Sequence, residues 1–292
     1  MLKSILLVIA AMIAFAANSL LCRMALVNTD IDPSSFTIIR LLSGALSLLI
    51  LSIVFFVSRS RSQEPEGFIA IIKQNASVTG GIALFVYALC FSFAYISMAT
   101  GTGALLLFGT VQLTMITAGL IKGERFTTSQ WLGFSFAIIG LIILLLPSSS
   151  APSVFSAILM MLAGFAWGAY SLIGKSATSP LIASAGNFFV ACVLCIPLSA
   201  VVLLTSVNTN IDFAGSVYAL ASGMLASGAG YAIWYAALPL IKATTAATVQ
   251  LSVPIIATLM GWAILKESLN MTILVASMVT LGGILLVIRQ RN

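Results

Sequence analysis

The chain has 292 residues, of which 61% are hydrophobic and 7% are charged, and its formal net charge is +6. A soluble domain has about 25% charged residues, so this composition excludes an ordinary soluble globular protein and indicates a protein embedded in lipid. The apolar stretches are continuous, whereas the strands of a membrane β-barrel alternate apolar and polar residues. The sequence therefore predicts an all-α integral membrane protein. Most basic residues flank apolar stretches, so we expect no binding to nucleic acid.

Ten apolar stretches are long enough to cross a bilayer as helices, since a spanning helix needs about 20 residues. In chain order they are 4–22, 36–57, 77–98, 102–121, 129–146, 154–173, 182–204, 215–237, 244–263 and 271–288. The longest connection, 58–76, is charged, and its 67–72 part is predicted to form a short helix on the membrane surface. The Ser- and Pro-rich stretch 147–152 is the clearest break, and it lies near the middle of the chain.

The basic residues predict how the chain is oriented in the membrane. With the N-terminus in the cytoplasm, ten of the 13 Lys and Arg residues fall on the inner side and two on the outer side. The remaining one, Arg40, lies within a predicted span. Because cytoplasmic loops are rich in Lys and Arg, we expect a multi-pass protein of the cell (inner) membrane with both termini in the cytoplasm.

The two halves of the chain align with each other, with the motifs in the same order. The matched pairs are Asn18 and Tyr170, Arg40 and Asn187, Glu124 and Glu267, and Gly140 and Gly283. This order predicts one five-helix repeat at 1–147 and a second at 153–292. Because five is an odd number, the second repeat crosses the membrane in the opposite direction. Inverted repeats are a recurring transporter design, in which exchange between the halves opens a central site to alternate sides.

With these features the chain resembles the drug/metabolite transporter superfamily, EamA type. The resemblance rests on the five-plus-five plan, on Arg40 early in span two and on the charged turn 122–125. Further support comes from Pro254, from the second charged turn at 266–268 and from glycines near the ends of spans five and ten. The resemblance implies a basket of ten helices, with spans 1, 3, 4, 6, 8 and 9 around a central cavity and spans 2, 5, 7 and 10 outside.

The candidate substrate-binding residues are aromatic and amide side chains on the spans that the resemblance places around the cavity. Aromatic rings suit an apolar or aromatic solute, and an amide in lipid must be satisfied by another helix or by a cavity. These candidates are Asn18, Tyr87, Phe91, Gln112, Trp167, Tyr170, Trp234 and Gln250. The alternative interpretation is that the rings serve packing and the amides join helices to one another.

Four residues are candidates for a gating or charge role, namely Arg40, Glu124, Glu267 and Pro254. A charged residue within a span is costly, so we expect Arg40 to reach outward and pair with Asp30 or Asp32. The alternative is that Arg40 attracts a substrate carboxylate at the outer mouth. Pro254 removes a backbone hydrogen bond and is expected to bend span nine.

All the acidic residues lie in loops or at the ends of predicted spans. Proton-coupled carriers commonly use a buried acid or His as a relay, and the chain has no His. We therefore expect uniport or exchange. Glu124 and Glu267 are expected to pair with Arg125 and Lys266 or to cap helix ends, with proton coupling as the alternative.

These features predict a transporter and not an enzyme, and they call for no cofactor and no metal. The leading hypothesis is an exporter of a small organic metabolite, such as an amino acid or a related amphipathic or aromatic solute, that works by alternating access. One alternative is an efflux carrier of organic cations or drugs, coupled to protons through a helix-end Glu. A membrane enzyme or a channel is more remote. The expected partners are the small-molecule substrate and the lipid bilayer, for a monomer or a homodimer.

Overall fold

The structure is a computed structural model, and it describes residues 2–59, 68–123, 125–146, 151–174, 177, 179–204, 209–241 and 249–289. Every regular element in these residues is helical. The elements are α1 (Leu2–Asn28), α2 (Pro33–Arg59), α3 (Phe68–Asn75), α4 (Val78–Ala94), α5 (Thr100–Ile121), α6 (Thr128–Leu145), α7 (Val154–Gly174), α8 (Pro180–Leu204), α9 (Phe213–Ala221), a π-helix (Ser222–Ala229), α10 (Gly230–Ala237), a 3-10 turn (Leu238–Leu240), α11 (Ser252–Leu265) and α12 (Met271–Arg289).

Seven of these helices are long and apolar enough to cross a membrane, namely α1, α2, α5, α6, α7, α8 and α12. Two further predicted spans correspond to the shorter apolar helices α4 and α11. The predicted span 215–237 corresponds to the consecutive elements α9, π-helix and α10. The predicted all-helical class is therefore confirmed, while the count of ten crossings stays a prediction. The short helix expected at 67–72 is α3, which packs on α8.

The largest difference from the predicted boundaries concerns span nine. Residues 242–248 lie outside the described part of the chain, and a turn at Leu251 separates Gln250 from the start of α11 at Ser252. Pro254 consequently lies in the first turn of α11, where the backbone N–H that proline lacks has no partner within the helix. The turn at Leu251 lies three residues before Pro254, and the predicted bend of span nine at this proline stays a prediction.

The π-helix is a feature that nothing in the sequence pattern predicts. Its hydrogen bonds reach one residue further than those of an α-helix, so it shifts the following side chains around the helix axis. The segment packs closely on α2, because a Cβ on Gly223 would lie 3.0 Å from the backbone nitrogen of Gly44. The hydroxyl of Ser47 in α2 donates a hydrogen bond of 3.2 Å to the carbonyl of Met224 in the π-helix.

Helices of the first half pack on helices of the second half in exchangeable pairs. The helix α4 packs on α7, and correspondingly α1 packs on the unit formed by α9, the π-helix and α10. Likewise α5 packs on α7, and α1 packs on α11. Three pairs contain a helix and its own counterpart, namely α6 with α12, α2 with α8 and α5 with α11. Exchanging the two halves therefore reproduces each of these helix pairs.

The backbones of α6 and α12 meet at small residues. A Cβ on Gly133 would lie 2.6 Å from the carbonyl oxygen of Gly283, and a Cβ on Gly140 would lie 3.0 Å from the carbonyl oxygen of Ala276. In the alignment of the two halves, Gly140 matches Gly283 and Gly133 matches Ala276. The contact of Gly133 with Gly283 therefore corresponds to the contact of Ala276 with Gly140. Small residues allow such close approach, which stabilises helix pairs in lipid through packing.

We expect Gly283→Ala to lower the stability of the protein by about 1–3 kcal/mol, because the added methyl group forces α12 away from α6. Its Cβ would lie 2.5 Å from the carbonyl oxygen of Gly133 and 2.6 Å from the backbone nitrogen of Ala137. Gly282→Ala is the matched control, since nothing lies within 4 Å of the Cβ added there, and its stability should change by at most about 0.5 kcal/mol. Thermal unfolding in detergent measures both. Equal melting temperatures for the two variants would contradict the close contact.

Candidate functional site

A central cavity of about 500 Å³ lies between α1, α4, α5, α7 and the unit that contains the π-helix and α10. This volume falls in the range of small-molecule sites, about 300–1,000 Å³. All eight candidate substrate-binding residues line it, namely Asn18, Tyr87, Phe91, Gln112, Trp167, Tyr170, Trp234 and Gln250. The structure thus brings them together around one space, while contact with a substrate stays a prediction.

The cavity reaches one end of the helix bundle. We call this the Lys122 end, where α5 and α7 finish and α8 begins, and its wall includes Lys122, Gly174 and Pro180. At the opposite end α1, α4 and α11 finish and α5 begins. There Tyr95 and Thr100 are fully buried, and neither lines the cavity. The cavity is therefore closed on that side by packed side chains.

Trp167 in α7 is the centre of an aromatic cluster in the wall. Its ring centre lies 4.9 Å from that of Tyr87, 5.3 Å from that of Tyr170 and 5.2 Å from that of Tyr231. Phe15 in α1 extends the cluster, with its ring centre 6.0 Å from those of Tyr231 and Trp234. Offset and edge-on rings at such distances contribute about 0.5–1.5 kcal/mol per pair beyond their burial.

Several wall residues are absent from the sequence-based candidates, namely Phe15, Ser19, Lys122, Tyr231 and Tyr235. Phe15 matches Trp167 in the alignment of the two halves, so the repeat carries a signal for it. Tyr231 and Tyr235 follow the π-helix, which rotates the residues after it around the helix axis. A pattern based on 3.6 residues per turn therefore does not predict which way their side chains point.

A chain of hydrogen bonds crosses the deep part of the cavity wall. Ser222 Oγ donates to Asn18 Oδ1 (2.6 Å), and Asn18 Nδ2 donates to Tyr87 Oη (3.1 Å). Arg40 Nη2 donates to the same tyrosine oxygen (3.0 Å). The bonds connect the π-helix, α1, α4 and α2, and the Tyr87 hydroxyl accepts two of them.

Arg40 lies behind this wall and is 2% exposed. Its Cζ atom is 5.1 Å from the ring centre of Tyr87 and 4.8 Å from that of Phe91, so the guanidinium makes cation–π contacts with both rings. The expectation that Arg40 reaches outward is therefore wrong, because its guanidinium lies over these two rings inside the bundle. Arg40 touches the central cavity only through its aromatic neighbours.

The expected pairing of Arg40 with Asp30 or Asp32 is also wrong. No salt bridge involves Arg40 within the described ranges. Asp32 Oδ1 instead accepts the backbone N–H groups of Ser34 and Ser35, at 2.9 and 3.0 Å, and so caps the start of α2. Asp30 is exposed. Of the two acids nearest to Arg40 in sequence, one thus caps a helix and the other lies on the surface.

A second polar cluster lies at the part of the wall that the second half of the chain forms. Tyr170 Oη and Ser184 Oγ are 3.0 Å apart, and Ser184 Oγ donates to Tyr235 Oη (3.2 Å). In the alignment of the halves Ser184 and Tyr235 match Thr37 and Ser92, whose hydroxyl oxygens are 2.8 Å apart. The same pair of helix positions is therefore hydrogen-bonded in both halves.

The Gln112 amide is a polar group of the wall without a hydrogen bond to any other described residue, although the residue is only 5% exposed. A buried amide normally has at least one partner. Its position in the wall leaves this amide free to bind a solute.

The closed end is held by the Glu267 carboxylate. Glu267 accepts the backbone N–H of Thr100 at 3.0 and 2.9 Å and the Thr100 hydroxyl at 3.1 Å, so it caps α5. Arg23 Nε lies 3.5 Å from Glu267 Oε1, and Arg23 Nη1 donates to the carbonyls of Tyr95 and Ile96 at 2.8 Å each. We call these five residues the Glu267 cluster, which ties α1, α4 and α5 to the loop after α11.

The ion pair of Glu267 is thus formed with Arg23 and not with the neighbouring Lys266, whose Nζ donates to the carbonyl of Ala263. Glu124, the other candidate carboxylate, lies outside the described residues. Groups of His, Cys, Asp or Glu that could hold a metal ion are absent from the described ranges.

Comparison with known proteins identifies the family. The family model described as the EamA-like transporter family matches residues 2–146 and, a second time, residues 154–289. The chain belongs to the EamA-like transporter family. This family is part of the drug/metabolite transporter superfamily, as the sequence motifs predict.

Relatives of this EamA-like transporter cover its whole length. An uncharacterized protein of Pseudomonas aeruginosa is 47% identical over 290 residues, which are 99% of this chain and 96% of the relative. An uncharacterized transporter of Archaeoglobus fulgidus is 23% identical over 299 residues, or 99% of both chains. A protein of known crystal structure matches 99% of both chains with a TM-score of 0.65 at 14% identity, which shows a shared fold. The family and the name of the Archaeoglobus fulgidus relative indicate membrane transport.

We expect Glu267→Gln to lower the stability of this EamA-like transporter by about 1–3 kcal/mol, because an amide is a weaker acceptor for the Thr100 donors and leaves Arg23 without its ion pair. Lys266→Gln is the matched control one residue away. It removes an exposed charge and should change the stability by at most about 0.5 kcal/mol. Thermal unfolding in detergent at pH 7 compares the two. An equal effect of both substitutions would contradict the stabilising role of the Glu267 cluster.

Proposed function

We propose that the chain is a carrier that moves a small organic solute across the cell (inner) membrane by alternating access. The observation that carries the proposal is a cavity of about 500 Å³ that reaches one end of the bundle and is closed at the other. A carrier needs such one-sided access in each of its states, whereas an open channel needs a continuous path. The Glu267 cluster is the contact that must open for the cavity to reach the other side.

Ten crossings, arranged as inverted repeats at 1–147 and 153–292, are part of the same proposal. The exchangeable helix pairs support it, as do the reciprocal contacts of α6 and α12. The matched hydroxyl pairs, Thr37 with Ser92 and Ser184 with Tyr235, support it at the level of single residues. Two similar halves in opposite orientation have a second arrangement of similar energy, in which their roles are exchanged.

The direction proposed is export, with both termini in the cytoplasm. Ten of the 13 basic residues then lie on the inner side, and the Lys122 end faces the cytoplasm. In this arrangement the cavity takes up solute from the cytoplasm, and opening of the Glu267 cluster releases it outside.

The solute proposed is an amino acid or a related amphipathic or aromatic metabolite. Rings of Trp167 and its neighbours suit an apolar body, and the free amide of Gln112 suits a polar group. An organic-cation carrier is disfavoured, because Arg40 occupies the faces of Tyr87 and Phe91 that would otherwise attract a cation. Uniport or exchange is supported by a wall without a carboxylate among the described residues.

Counterflow in proteoliposomes tests the proposed function. Vesicles with the purified protein are loaded with unlabelled amino acids or aromatic metabolites, and uptake of the labelled compound is followed. We expect saturable uptake that is accelerated by solute on the opposite side. Uptake that does not saturate would favour a channel, and formation of a product would favour an enzyme.

The same vesicles test the coupling. We expect an imposed pH gradient not to drive accumulation of the solute, because proton relays in membrane carriers use a buried Asp, Glu or His and the cavity wall has none of these within the described residues. Uphill uptake that collapses on addition of a protonophore would contradict this expectation and would direct attention to the helix-end glutamates.

Substitutions in the wall test the site. Trp167→Ala removes the central ring of the wall and should lower the rate of transport by at least about 10-fold, since one ring contact with the solute contributes about 0.5–1.5 kcal/mol and 1.4 kcal/mol is a factor of ten. Gln250→Ala should lower it as well. Trp131→Ala is the control, because Trp131 is 50% exposed and lies outside the cavity wall. Expression should be equal for all three variants, and wild-type rates in the first two would remove those residues from the site.

A further inference from the structure

We propose that the transported solute carries an anionic oxygen group, such as a carboxylate, and that this group binds in the cavity at the Tyr87 hydroxyl. The proposal rests on the proposed transport function and names the substrate class as amphipathic carboxylates. Its two foundations are the direction of the hydrogen bonds around Tyr87 and an uncompensated positive charge at Arg40.

The distances favour one direction for the hydrogen bonds. Ser222 Oγ lies 2.6 Å from the Asn18 side chain, which suits a hydroxyl donating to an oxygen and is short for an N–H donor. The amide oxygen of Asn18 therefore faces Ser222, and its NH₂ group faces Tyr87. The distance of 3.1 Å between Asn18 Nδ2 and Tyr87 Oη is typical of an N–H···O bond.

The Tyr87 hydroxyl is left as a donor. Its oxygen accepts from Asn18 and from Arg40, so both acceptor positions are used. Its own proton meets no acceptor in the part of the chain that the structure describes, and Tyr87 lines the cavity. Acceptance of a bond from a charged guanidinium polarises the hydroxyl and strengthens it as a donor. A carboxylate is the solute group that such a donor binds best.

The charge around the cavity favours an anion as well. Arg40 Nη1 is buried without a hydrogen-bond partner, and no salt bridge of Arg40 occurs among the described residues. Lys122 at the cavity mouth is the one formally charged residue among the described wall residues, and it is also positive. The positive field of these two side chains raises the local concentration of anions and repels cations.

Equilibrium binding to the purified full-length protein in detergent tests the proposal without any need for transport. The probes are three compounds with the same phenylpropyl body, namely 3-phenylpropionate, 3-phenylpropionamide and 3-phenylpropylamine, at pH 7. Isothermal titration calorimetry measures their affinities. We expect the carboxylate to bind about 5- to 10-fold more tightly than the amide, because hydrogen bonds to charged groups are stronger than neutral ones, and we expect the amine to bind most weakly.

Two substitutions separate the contributions of charge and hydroxyl. Tyr87→Phe removes the donor and keeps the ring, and it should abolish the preference for the carboxylate over the amide. Arg40→Met removes the charge and frees the faces of Tyr87 and Phe91, so it should also strengthen binding of the amine about 10-fold, as expected for a cation–π contact. A purely structural role of Arg40 would weaken all three probes together.

The matched control for loss of a hydroxyl is Tyr218→Phe, because Tyr218 lies outside the cavity wall, and this variant should retain the preference for the carboxylate. Equal binding of the three probes to the wild-type protein, or binding of none of them, would overturn the proposal. So would a preference for the carboxylate that survives in Tyr87→Phe. Counterflow of any solute in proteoliposomes would leave the proposed transport function standing in each of these cases.

Discussion

The constraint on which this structure depends is that polar groups in lipid must find their partners within the protein. Water is absent from the hydrocarbon region, so an unsatisfied group there costs several kcal/mol. The hydroxyl pairs in both halves and the bond from Gln130 Nε2 in α6 to the carbonyl of Val287 in α12 meet this demand between helices. Three groups at or beside the cavity do not meet it fully, namely Arg40 Nη1, the Tyr87 hydroxyl proton and the Gln112 amide. Buried hydroxyls away from the cavity wall, such as those of Ser52 and Thr280, also lack a partner among the described residues. It is therefore the position at the cavity that makes these three groups available to a solute.

The helices were largely predictable, because a spanning helix needs a long apolar stretch and little else. The ends of the helices depend on hydrogen bonds of polar side chains, which the length of an apolar stretch does not predict. Helix α1 continues through Arg23 to Asn28, because Arg23 is held by backbone carbonyls of Tyr95 and Ile96. The π-helix was not predictable, since it reflects the approach of its backbone to α2, a contact between segments far apart in sequence.

The residues around the cavity were predictable for a different reason. Trp167, Tyr170 and the aromatic stripe of α4 carry large or polar side chains on helices that the repeat and the family place inside, and all eight candidates line the wall. Their partners were not predictable. The acids nearest to Arg40 in sequence lie on the surface or cap α2, so its partner is Tyr87 in another helix, and the partner of Glu267 is Arg23 near the other end of the chain. Proximity in sequence is a poor guide to pairing when helices pack side by side.

The two halves are alike in the contacts between α6 and α12 and differ at the positions of Arg40 and Tyr87. The contacts of α6 with α12 exchange between the halves, which supports two arrangements of similar energy. Arg40, by contrast, matches Asn187, whose side-chain oxygen accepts the backbone N–H of Ser77 at 2.7 Å and so secures the start of α4. Tyr87 matches Gly230, which has no side chain to present. The charged donor therefore exists once and not twice. In the proposed mechanism, exchange between the two halves exposes the cavity first to one side of the membrane and then to the other. The Tyr87 hydroxyl and Arg40 then face each side in turn, so alternating access does not require a second copy of this binding group. In the proposed carrier, we therefore expect the positions where matched residues differ in chemistry, and not those where they agree, to determine the solute.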